Sequence, residues 1–333
     1  MALEFFGSRT AAIAGFLIFA AVPAVANPYY VYAANLALVY ILLAIGLNLI
    51  LGFAGQMAFA AGALFGIGAY SAGLLRLDAG LPFWLALPIG TLITTLSGVL
   101  IALPALRLRG LYLALATVAF AQFAVWAFVH WDSLTHGASG FVMEHVDFGM
   151  LTANSSIGIY YLSLIVTAVF VALAWNLLRS RVGRAFVAIR ESEHAAEALG
   201  IGLTKYKILA YGLSALYAGV AGGLFGGLVG AIVPDQFNLL EMVLQLCMVF
   251  VGGIGSLMGS IIGAVLLVWM REFMRGLREF QEIGLGVLLL LTLLFFPGGL
   301  IQLLRRSFAG WAEPLRRTSG DDREKSSARP TPG

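Results

Sequence analysis

The chain has 333 residues, of which 60% are apolar and 11% charged, with a formal net charge of +3. With a mean hydropathy of +0.93 it lies outside the range of a soluble globular domain and reads as a polytopic membrane protein. The basic residues sit at the ends of apolar segments, so the pI near 9.1 reflects the positive-inside rule and leaves no nucleic-acid footprint. Cys247, the single cysteine, lies inside an apolar segment, which rules out an internal disulfide and a cysteine-based metal site.

The first apolar run, 10–26, follows Arg9 and ends in Ala24-Val25-Ala26. It admits two readings, a cleaved leader or a first span, and Glu4 favours the span by weakening a basic n-region. Further spans are predicted at 29–51, 56–75, 82–106, 111–130 and 157–178, then at 208–230, 239–270 and 283–304, since nearly all reach the roughly 20 apolar residues that cross a bilayer core. As one helix, 239–270 would run to roughly 48 Å against a core of about 30 Å. It contains Gly252-Gly253-Ile254-Gly255, so two short helices folded back at those glycines are expected. The sum is an all-α protein with about ten transmembrane segments and both termini cytosolic.

Between the sixth and seventh spans stands the longest charged passage, 179–207, RSRVGRAFVAIRESEHAAEALGIGLTKYK. It is predicted helical: Ala185, Ala188, Ile189, Ala196, Leu199 and Ile201 recur at spacings of three and four. Arg184, Arg190, Glu191, Glu193 and Glu197 fall largely between them, and Gly200 and Gly202 stop the helix. An alanine-faced helix of this kind suits a groove on another protein; the same composition also suits a solvated linker.

Charge tests the topology. With 179–207 in the cytosol, alternation brings Arg107 and Arg109 inside, together with Arg305, Arg306, Arg316 and Arg317. The loop 131–156 then lies outside, and it holds Asp132, Glu144 and Asp147 but no lysine or arginine. Arg271, Arg275 and Arg278 come out on the external side, among Glu272, Glu279 and Glu282. A single span at 239–270 would bring these arginines in but send Arg305 and Arg306 out.

Polar residues at membrane depth are Asn48, Gln56, Gln122 and Gln245, with Tyr70 and Ser71. Each either bonds a neighbouring helix or lines a passage for a polar solute, and Gln56, at the glycine-rich start of a span, is the leading passage candidate. Glycine pairs four apart, such as Gly219 and Gly223 or Gly255 and Gly259, offer flat strips for close helix packing. No ionisable residue falls mid-span, the nearest being Glu241 at a segment end, which argues against coupling to an ion gradient. There is no GxxxxGK[ST] phosphate loop, and Gly253-Ile254-Gly255 has no preceding strand, so ATP or a dinucleotide is not bound through those motifs. Gly137-Ala138-Ser139-Gly140 matches a GxSG serine pattern, but it lies in an external loop with no histidine in the later spans to serve as base.

The passage GRAFVAIRESEHAAEALGI resembles the cytosolic coupling loop of permease subunits of high-affinity branched-chain amino acid (Liv-type) ABC importers, the M-type subunits most closely. LNLILGFAGQMAFAAGALFGIGAYSAGLL, RLRGLYLALATVAFAQ, HWDSLTHGASGF, LSALYAGVAGGLFGGLVGAIVPDQF and VFVGGIGSLMGSIIGA extend the resemblance over 48–304. It implies a non-catalytic permease domain at 1–308 in the bacterial inner membrane, without cofactor or metal. A polar tail at 309–333 is expected to be disordered.

The implied partners are two ABC ATPase subunits, a related second permease completing the pathway, a periplasmic or lipid-anchored binding protein, and membrane lipid. Gly183, Arg184, Ala188, Arg190, Glu191, Glu193, Ala195, Ala196, Glu197 and Gly200 would couple to the ATPase, while Asn48, Gln56, Gln122 and Gln245 are the pathway candidates. His194 stands where importer loops carry an acidic residue, which leaves Glu193 and Glu197 both open as the docking carboxylate. The implied substrates are branched-chain or related small polar amino acids, with urea and short amides carried by some relatives. The alternative is an uncoupled channel or facilitator, which would have no need of a docking helix.

Overall fold

The computed structural model describes residues 19–23, 27–108, 110–143 and 155–274, with isolated positions between 284 and 301. The segments expected at 10–26 and 283–304, residues Arg109, Glu144 and Asp147, and the tail at 309–333 lie wholly or largely outside the described residues.

Helix α1, Pro28–Asn48, is apolar on every side, the pattern of a helix surrounded by protein. It is buried along almost its whole length and packs against α5 (Ser155–Arg179), α8 (Leu203–Val229) and α10 (Leu257–Phe273). Beside it, α8 packs between α2 (Ala61–Leu77) and α3 (Phe83–Ala105). Their backbones touch: a Cβ on Gly68 would fall 2.7 Å from Gly219 Cα, and one on Gly222 would fall 2.2 Å from Phe65 O. Outward, α3 and α4 (Leu111–His130) expose Leu92, Leu96, Leu100, Leu115, Phe123 and Trp126, a face fit for lipid or an apolar partner.

Among the described residues six helical stretches are long and apolar enough to cross a membrane, with Ala61–Leu77 as a shorter seventh. The run 239–270 is divided, as its length requires: α9 (Leu239–Gly252) and α10 are separated by Gly253–Ser256. They form an antiparallel hairpin in which Gly252 meets Gly259 O, and Gly263 meets Met248 O, too closely for any side chain.

Two stretches differ from the expected helices. Helix α2 starts at Ala61 and not at 56, because α1 widens into a π turn at Leu49–Phe53 and Gly55 takes φ +68°. The leftover backbone is held by α4, where Thr117 Oγ1 accepts from Phe59 N–H at 3.0 Å. Irregular backbone at membrane depth is tolerated where protein supplies such partners. The passage 179–207 forms two helices, α6 (Arg181–Glu191) and α7 (Glu193–Ala198), broken where Ser192 turns extended. Ser180 and Ser192 cap them, their hydroxyls accepting from Val182 N–H and Ala195 N–H. Gly200, at φ +79°, ends α7, and α8 begins at Leu203, earlier than the expected 208.

The body has two distinct ends. One carries α6, α7, the π turn and the turn 253–256. At the other, strand β1 (Phe141–Val142) pairs antiparallel with β2 (Ala231–Ile232), and His136 Nε2 lies 3.4 Å from Asp78 Oδ1.

Candidate functional site

The apolar stripe of α6 is spent within the chain. Gly183, Ala185, Phe186 and Ile189 are buried and α6 packs on α5 and α8, so Phe186 alone anchors it by roughly 1.5–3 kcal/mol. Ala196 of α7 is buried in the same way. Lys207 Nζ, within the first turns of α8, bonds Glu193 Oε1 at 2.6 Å and fixes the start of α7.

The surface left to the outside therefore differs from the alanine ridge read in the sequence. Arg184, Glu191, His194, Ala195, Glu197 and Gly200 are exposed, Ala188 is half-buried, and Leu199 is 79% exposed at the tip. Leu199, read in the sequence as part of the apolar ridge, caps the C-terminal end of α7 and faces outward, while Ala196 faces in. The tip thus presents one apolar side chain among exposed charged residues.

Arg190 is also exposed, but its guanidinium turns back onto the body. Its Nη1 donates to Gly52 O at 2.6 Å, within the π turn, and its stem lies against Gly55. Its guanidinium reaches Gly255, in the turn between α9 and α10, where a Cβ would fall 2.7 Å from Nη1. Gly255 has φ +73°, so backbone geometry and space both call for glycine there.

Asn48 completes the junction. Its Nδ2 donates to Ser256 O at 2.9 Å and Ser260 Oγ at 2.7 Å, and its Oδ1 accepts from Gly255 N–H at 2.9 Å. A Cβ at position 52 would fall 1.7 Å from that Oδ1, so Gly52 makes room for the amide. One continuous chain of contacts thus joins α6 through Arg190 to the end of α1 and the α9–α10 turn. Arg190 and Asn48, assigned in the sequence to coupling and pathway, belong to one junction.

The remaining amides are dispersed. Gln56 is buried beyond the π turn with Nε2 unbonded, and Gln245 is buried with Oε1 near Gly62 and unbonded. Gln122 is exposed on α4, beside Phe123 and Trp126, away from the other three. Sequence reading missed Asn35, buried in α1 with neither amide atom bonded. It also placed Glu241 merely at a segment end. In the structure Glu241 pairs with Arg271 through contacts of 2.7 and 3.0 Å, with Tyr40 Oη 3.4 Å from Oε2. The signal was available, since a carboxylate at the head of one apolar helix and an arginine at the foot of the next must pair if the two fold back.

Against known proteins, the family described as branched-chain amino acid transport system / permease component matches residues 29–296. The chain is 33% identical over 319 residues to the high-affinity branched-chain amino acid transport system permease protein LivM of Salmonella typhimurium, covering 87% of this chain and 75% of the relative. It is 29% identical over 282 residues to the corresponding protein BraD of Pseudomonas aeruginosa, covering 79% and 91%. To the autoinducer 2 import system permease protein LsrC of Enterobacter sp. strain 638 it is 27% identical over 293 residues, covering 79% and 80%. No solved structure matches.

Proposed function

The chain belongs to the family of branched-chain amino acid transport system permease components, and from that premise we propose that it forms half of the translocation pathway of an ATP-driven importer for branched-chain or related small amino acids. The end carrying α6 and α7 faces the cytosol and docks an ABC ATPase subunit, with Leu199, Glu197, His194 and Ala195 at the contact. The opposite end receives substrate from a periplasmic or lipid-anchored binding protein. A related second permease covers the exposed apolar faces of α3 and α4 where lipid does not, and a second ATPase sits beneath it.

The observation that carries this reading is the double use of the 181–198 segment. One face is fastened to the body by Phe186, Arg190 and the Lys207–Glu193 pair, while the other presents an exposed leucine amid charges. A passive pore needs no such handle. Movement imposed on α6 reaches α1 and the α9–α10 turn through Arg190 and Asn48, which is how ATP-driven closure would act on the membrane helices. Gln56 and Gln245, buried with an unbonded amide atom each, remain the pathway candidates among the amides, and energy comes from the partner subunits.

Tagged permease expressed with its ATPase subunits tests this. The native chain is expected to co-purify the ATPase, and Glu197→Lys or Leu199→Asp to lose it while still inserting in the membrane. Retention of the ATPase by both variants would count against the docking surface.

A further inference from the structure

At the end opposite Arg190 four helices, with Gln236 from the turn before α9, line a half-open cavity of about 420 Å³, within the roughly 300–1,000 Å³ of small-molecule sites. Each contributes a stripe at helical spacing. Tyr32, Leu36 and Tyr40 come from α1, Phe225 and Val229 from α8, Glu241, Leu244 and Met248 from α9, and Val268 and Arg271 from α10. Apolar and polar side chains share the wall about equally, with Tyr32 and Gln236 among the polar ones and Leu36, Phe225, Met248 and Val268 among the apolar ones. Its charged groups are the Glu241 carboxylate and Arg271 guanidinium, bonded to each other, with the Tyr40 hydroxyl beside them; Glu272 lies at the margin, bonded by the Tyr29 hydroxyl.

We infer that this cavity is a way-station for substrate within the permease, and that it takes a zwitterionic α-amino acid with an apolar side chain. The inference rests on the importer reading and narrows its substrate. An α-carboxylate matches the guanidinium fork of Arg271, and an α-ammonium matches Glu241 with Tyr40 as a further acceptor. Inserting the zwitterion exchanges one ion pair for two without changing the net charge, so neither protein charge is left uncompensated on burial. The side chain then lies against Leu36, Phe225, Met248 and Val268. Urea or a short amide carries no charges to exchange and would leave the Glu241–Arg271 pair closed. The same exchange separates the ends of α9 and α10, so a bound amino acid also loosens the hairpin whose turn touches Arg190.

The test is leucine uptake and binding-protein-stimulated ATP hydrolysis by the complete importer in proteoliposomes. Glu241→Gln and Arg271→Gln are each expected to lower leucine uptake about tenfold with ATP hydrolysis retained. The exchanged double variant Glu241→Arg/Arg271→Glu restores the pair but presents its charges at reversed positions, and is expected to stay inactive. Normal uptake by the single variants, or rescue by the exchange, overturns the site and leaves the importer reading standing. Should the single variants fail to assemble, Val268→Trp decides the matter by filling the cavity without touching the pair. Loss of uptake with ATP hydrolysis intact supports the site, and normal uptake overturns it. A native importer that takes up no amino acid overturns both readings.

Discussion

The two ends of the helical body are joined by different chemistry. At the Arg190 end the links are a guanidinium, an amide, a serine hydroxyl and backbone groups, packed so closely that Gly52 and Gly255 have no room for a side chain. At the Glu241 end a carboxylate–guanidinium pair bridges α9 and α10 beside an open cavity, and α1 joins them through the Tyr40 and Tyr29 hydroxyls. A closely packed junction of short hydrogen bonds transmits displacement, because packed interfaces shift between discrete arrangements and do not stretch. An ion pair beside a cavity can be replaced by a ligand with matching charges. The first end is built to be pushed, the second to open.

That contrast breaks most completely at Asn48. Asn48→Leu removes three hydrogen bonds, worth roughly 0.6–2 kcal/mol each between membrane helices, and leaves the Gly255 N–H without its acceptor. A loss of about 2–4 kcal/mol in stability is expected, read as a lowered thermal midpoint of the detergent-solubilised complex, with uptake abolished. Next in size is Arg190→Gln, which shortens the link from α6 to the π turn while leaving the buried face of α6 in place. Uptake should fall about tenfold with ATPase co-purification unchanged, because docking survives and transmission does not. Equal loss of docking and transport would make Arg190 a folding residue and blur the contrast between the ends. The smallest effect is predicted for Gln122→Leu. Its side chain faces outward from α4, so uptake and stability should change little, within about 0.5 kcal/mol.

Much of this architecture could be read from the sequence, and the reasons are local. The length of 239–270 against the bilayer forced the break that appears at Gly253–Ser256. Gly200 stops α7 because its positive φ suits glycine. What could not be read depends on contacts distant in sequence. Whether an alanine face meets another protein or the chain's own helices is decided by Phe186, whose partners lie on α5 and α8. The break at Ser192 hides in a sequence of good helix formers. Arg190 and Asn48 stand far apart along the chain, and only the folded hairpin shows them to be one junction. Gln122 passed for a buried amide because periodicity gives spacing but not which face of α4 the neighbours cover.

The docking of the 181–198 segment on the proposed cytosolic face is open to a direct measurement. Cys247 is buried, so Leu199→Cys and, at the opposite end, Val142→Cys each present one accessible thiol for a photo-crosslinker. In membranes containing the complete importer, the probe at position 199 is predicted to capture the ATPase and to resist membrane-impermeant reagents added from the periplasm. The probe at 142 is predicted to be reached from the periplasm and to miss the ATPase. Capture of the ATPase from position 142, or periplasmic labelling at 199, would contradict the account.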